Sequence, residues 1–149
     1  MALGLILVSL LAGAQQSSVV STMPGADDVY LWGQGLVDGR HFEYVVKSDA
    51  MAKVPEWVPE KQDPPLKVPR AVEIAKKAVK SDHPEFGDLK LWTIQMQQSS
   101  SQDHPNRWFY ILQMYPIVGG KLSIHTDVTV VVLMDGTVVK PTEKKRAQS

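Results

Sequence analysis

The feature that most constrains this chain is a change of period near its middle. Between residues 69 and 80, Ala71, Val72, Ala75, Ala78 and Val79 recur at three- and four-residue steps, while Arg70, Glu73, Lys76, Lys77 and Lys80 take the other side. Side chains at that spacing share one face of an α-helix. Pro69 suits its first turn, lysines complement the C-terminal end of the helix dipole, and Ser81, Asp82, His83 and Pro84 stop it. From Leu89 the period falls to two. Trp92, Ile94 and Met96 line one face, and after a polar loop Trp108, Tyr110, Leu112 and Met114 repeat the pattern. That alternation predicts paired antiparallel strands with the aromatic residues in the core under the helix. Residues 97–106, rich in serine and glutamine, are expected as a mobile tip. Residues 124–134 read as a third long strand, closed by Asp135-Gly136 and a short return through Val138 and Val139.

Upstream, residues 29–36 and 42–46 are expected as strands, with Asp38-Gly39 between them offering the positive φ of a tight hairpin. Prolines at 55, 59, 64 and 65 then space a segment carrying Trp57. Proline removes ladder donors, so no central strand runs there. The segment reads as an extended strap laid over the sheet with Trp57 as its apolar anchor, ahead of a proline-rich partner ligand.

The N-terminus gives a different signal. An apolar run from Leu3 to Leu11 is followed by Ala12-Gly13-Ala14 and then by polar residues, the pattern of a cleavable signal peptide cut after Ala14. The run is too short to span a bilayer, so the mature form is expected to keep no membrane span. The resulting organisation is a signal peptide at 1–14, a polar linker at 15–28, a single α+β domain at 29–141 and a polar, basic tail at 142–149. The expected fold class is α+β: one helix packed on an antiparallel sheet of about four to five strands, preceded by the signal peptide and the strap.

The 149 residues contain no cysteine, which excludes a disulfide framework, a thiolate nucleophile and cysteine-ligated zinc. Sixteen basic and sixteen acidic residues balance, leaving no global field to gather nucleic acid. The candidate chemistry is sparse. His125 and Asp127 stand two apart in an expected strand and form a polar pair on one face, short of the three or four converging ligands a metal needs. The tripeptide Asp-His-Pro occurs at 82–84 and 103–105, where an Asp before a proline turn is the ordinary explanation. Ser99, Ser100 and Ser101 lie near His104 but lack the elbow and oxyanion donors of a serine nucleophile. Gly33-Gln34-Gly35 lacks the third glycine of a dinucleotide fingerprint. Trp32 and Trp57, less easily assigned to a core, are the candidate partner contacts. No catalytic residue, cofactor or metal is assigned.

Three stretches carry a family resemblance: residues 71–75 on the helix, Trp108-Phe109-Tyr110-Ile111 on a strand, and residues 130–139 around Asp135-Gly136-Thr137. Together, over roughly residues 66–141, they resemble the PepSY family, small extracytoplasmic cystatin-like domains. The resemblance implies a non-catalytic module that restrains a protease or binds an envelope partner. The functional expectation is therefore an exported binding module, secreted or periplasmic, with a protein partner and no nucleic acid. The alternative is a small hydrolase or lyase using His125 and Asp127.

Overall fold

The computed structural model describes residues 27–35 and 40–144. The expected signal peptide, nearly all of the polar linker, the Asp38-Gly39 turn and the end of the basic tail lie outside these residues. The elements, in chain order, are β1 (Asp28–Gly35), β2 (His41–Lys47), α1 (Ser48–Lys53), α2 (Val68–Asp82), β3 (Asp88–Gln98), β4 (Trp108–Val118), β5 (Lys121–Leu122), β6 (Val128–Leu133), β7 (Val138–Val139) and β8 (Pro141–Lys144).

The expected fold class is corrected by this list. Among the described residues the chain is mostly β, with two helices and two sheets of three and five strands, in place of one helix on one sheet. The larger sheet has the order β3-β4-β6-β7, with β5 paired to β4, and the smaller has the order β1-β2-β8. All pairings are antiparallel. The difference arises because β1 and β2 pair with each other and with no strand of the larger sheet. Pro141–Lys144, expected as chain end and tail, pairs with His41–Tyr44 and adds a third strand to that hairpin. Proline is tolerated there because it opens an edge strand.

Burial shows how the layers stack. On β4 and β6, residues of both parities are buried: Tyr110, Leu112, Val130 and Val132 on one face, Phe109, Ile111, Val131 and Leu133 on the other. A sheet buried on both faces is covered on both sides. Helix α2 covers the first face with Ala71, Ala75 and Val79. The Tyr110 hydroxyl donates to the Leu66 carbonyl at 2.7 Å just ahead of that helix, and Lys140 pairs with Asp82 at its far end. The three-stranded sheet and α1 cover the second face. There the Tyr44 hydroxyl donates to the Thr129 carbonyl at 2.8 Å. Val29, Leu31, Tyr44, Val46 and Met51 join the same hydrophobic core as the larger sheet.

Local physics explains most of the boundaries. Helix α2 ends at the first Asp-His-Pro, where the His83 amide still reaches the Val79 carbonyl at 2.8 Å. Ahead of β6, Ser123 and Thr126 bond to each other through their hydroxyls and backbone, so the strand starts at Val128 instead of Ile124. Hydroxyl side chains compete with the ladder in this way. The strap is extended only as far as Val58 and then turns at residues 59–61, where the Lys61 amide donates to the Val58 carbonyl at 3.0 Å. Trp57 donates its indole N–H to the Gln62 carbonyl at 2.8 Å and meets Trp108 edge-on, with ring centroids 5.1 Å apart. The Asp135-Gly136 turn places Gly136 at φ 90°, a conformation L side chains rarely adopt.

Candidate binding face

Strand β3 pairs with β4 in two registers. Leu91 lies opposite Met114 and Thr93 opposite Gln113, so Trp92 is an extra residue, a β-bulge. The bulge changes parity. Leu89 and Leu91 before it face the helix, and so do Ile94 and Met96 after it, while Trp92 turns to the other side. The expectation that Trp92, Ile94 and Met96 share a buried face is thereby corrected, since Trp92 is 63% exposed.

Its neighbours on that side are fixed by pairing. Trp92 meets Tyr115 in an edge-to-face contact with ring centroids 5.6 Å apart. The Thr93 hydroxyl donates to Gln113 Oε1 at 2.8 Å, which ties the two strands together and leaves the Gln113 amide nitrogen without a hydrogen bond among the described residues. Gln95 and Gln97 continue the row along β3, both exposed, their side-chain amides unengaged among the described residues. Lys90, opposite Tyr115, stands at the rim as the nearest charge in this row. The result is a strip carrying two aromatic rings and three amides. Nothing in the two-residue period announces it, because the bulge reverses the period where the tryptophan sits.

A second constellation joins residues far apart in sequence. Ser48 Oγ and His104 Nε2 lie 2.7 Å apart beside an open cleft of about 580 Å³, lined by Asp27, Lys47, Ser48, Asp49, Ala52 and His104. The contact anchors the loop after β3 to α1, and the Ser99 amide to the Arg107 carbonyl at 2.7 Å closes the loop's base. This loop is tied at both ends instead of forming a free tip. A nucleophilic serine also needs a group orienting the other imidazole nitrogen and free amide donors for the oxyanion. Here the Ser48 amide is committed to the Asp27 carbonyl at 2.8 Å, and among the described residues nothing bonds His104 Nδ1. What the contact does in the fold is tie the loop after β3 to α1.

A third cluster was not foreseen. On the outer side of the small sheet, the Glu43 carboxylate lies 3.8 Å from His41 Nε2 and 3.7 Å from Lys144 Nζ, with the Tyr30 ring folded over Gly33 beside it. Burial, and then the charge of Glu43, raise the Tyr30 pKa. The cluster secures β8 on β2.

The residues singled out from sequence are dispersed. Trp57 is 7% exposed and belongs to the core, so it offers almost no surface to a partner. Trp32 packs half-buried against the same core, its indole N–H enclosed and unpaired among the described residues. His125 sits in the exposed turn before β6. Asp127 accepts a 2.9 Å hydrogen bond from Gln34 Nε2 and adds, after burial, to the forces that push the Tyr44 pKa up to about 12. Neither residue lines the Ser48–His104 cleft or the smaller one beside Leu133 and Val139. Among the described residues, no group of three or more acidic or histidine side chains is placed to hold a metal ion, and no helix is long and apolar enough to cross a membrane. Comparison with protein-family models, with curated proteins and with solved structures finds no match to this chain.

Proposed function

We propose that this protein is an exported, non-catalytic binding module that holds its ligand on the face formed by β3 and β4. The observation that carries the reading is Trp92, 63% exposed on a strand whose register and neighbours hold it in place. An exposed indole forfeits the burial that normally makes tryptophan useful to a fold, and aromatic side chains dominate the energetics of binding sites. The leader pattern at residues 1–14 supports export to a secreted or periplasmic location. A PepSY-like origin for residues 66–141 belongs to the same proposal, supported by the order of one helix followed by antiparallel strands, and with it comes the expected protein partner of the envelope or secreted fraction.

The test is affinity capture with the full chain and its Trp92→Ala variant against an envelope and culture-supernatant extract of the source organism. A ligand retained by the parent and lost by the variant, at unchanged Tm, supports the reading. Capture that survives the substitution moves the binding surface elsewhere, and N-terminal sequencing of the exported protein should find Gln15 first.

A further inference from the structure

The composition of the β3–β4 face narrows what it can hold. Protein interfaces are usually built around desolvated aromatic or arginine anchors ringed by further contacts that exclude water. Around Trp92 the residues are different: Tyr115, Thr93, Gln113, Gln95 and Gln97, with hydroxyls and primary amides in place of aliphatic side chains. An amide offers both donors and an acceptor in one plane, the match for a pair of adjacent hydroxyls. An aromatic ring offers an apolar face on which aliphatic C–H groups can lie.

The ligand that carries C–H faces and hydroxyl pairs together, and no charge, is a neutral sugar. We infer that this face binds a neutral oligosaccharide, with Trp92 as the stacking platform, Tyr115 bracing it, and Gln95, Gln97 and Gln113 bonding ring hydroxyls. The inference rests on the binding-module reading and names the ligand class of the same site. Geometry supports it twice over. Alternate residues on a strand are about 6.7 Å apart, so Thr93, Gln95 and Gln97 form a straight row suited to an extended chain of sugars. The Thr93–Gln113 bond occupies the Gln113 oxygen and presents its nitrogen, so one donor is set before any ligand arrives. On β3 the stretch from Trp92 to Gln97 carries no ionisable side chain, and Lys90, the cross-strand partner of Tyr115, is the one charge on that strand beside the aromatic pair.

The experiment titrates the full chain with cellohexaose, xylohexaose, mannohexaose and chitohexaose, with polygalacturonate as an anionic control, following tryptophan fluorescence and heat of binding. The same preparation and its Trp92→Ala variant are crosslinked in the envelope extract. Saturable binding of at least one neutral oligosaccharide, weakened roughly tenfold or more by Trp92→Ala and by a smaller factor by Gln113→Ala, is the expected result. Salt-sensitive binding of polygalacturonate alone overturns the neutral-ligand inference. Absence of glycan binding, with a crosslinked protein that Trp92→Ala abolishes, overturns the inference and leaves the binding face standing. Glycan or protein capture indifferent to Trp92, or no capture in either arm, overturns both.

Discussion

At the scale of single residues, the two buried tyrosine hydroxyls show how polar atoms hold the layers in register. The Tyr110 hydroxyl, fully enclosed, satisfies the Leu66 carbonyl where the strap hands over to α2. Tyr110→Phe leaves that carbonyl buried and unpaired, and chemical denaturation should register a loss of about 1–3 kcal/mol. Tyr44 makes the equivalent contact with Thr129 on the opposite face, and its pKa is pushed up to about 12, first by burial and then by Asp127. The folded chain thus keeps the Tyr44 proton to a higher pH than the unfolded chain, whose tyrosines titrate near ~10. The contribution is complete below the unfolded value and is lost as pH rises from about 10 towards 12. Unfolding followed across that range should show stability falling with pH, and Tyr44→Phe should flatten the fall. Trp57 and Trp92 illustrate how far a residue type can be read. Trp57 lies between prolines and Trp92 in an apolar alternation, yet the first fills the core and the second stands out from a strand, because a bulge decides which way Trp92 turns.

At the scale of elements, α2 is the best-determined part of the chain. Its alanine stripe lets the helix lie close on the sheet, with Ala71 and Ala75 fully buried. Ala75→Leu would force apart two surfaces that have no room for three more carbon atoms, and a destabilisation of about 1–3 kcal/mol in thermal or chemical unfolding is expected. The helix was legible because its period extends over three turns and both ends carry stop signals. Its ion pairs were less so: Glu73 takes Arg70, and Lys76 and Lys80 reach across to Asp88 at the start of β3. The short helix α1 was not foreseen, since six residues are too few to show a period. It is held by Met51, buried in the shared core, and by the Ser48–His104 contact. The candidate face was illegible for a related reason. Period-two reasoning assumes an unbroken ladder, and one extra residue at Trp92 inverts it.

At the scale of the whole molecule, the smaller sheet is completed by a strand contributed by the far end of the chain. β8 is exposed along its length, so what it adds is hydrogen bonds to β2 and the Lys144–Glu43 ion pair more than buried area. Deleting residues 141–149 should lower Tm by about 4 °C, the equivalent of about 1 kcal/mol for a chain of this size. Hydrogen exchange should quicken in β1 and β2 while β4 and β6 stay protected, because the larger sheet keeps its helix on one face and its own ladders. Equal loss of protection in both sheets would show instead that they unfold as one unit. What the sequence by itself determined is everything that repeats locally: the helix at 68–82, the hairpin pair β3 and β4, the Asp135-Gly136 return and the strand-free proline segment, each set by side-chain period or by proline and glycine geometry. Only the tertiary structure decided that the N-terminal hairpin forms a second sheet, that Pro141–Lys144 completes it, and that Trp92 faces outward. Those outcomes depend on pairings between residues about a hundred positions apart and on the register of one ladder, and neither leaves a periodic trace in the chain.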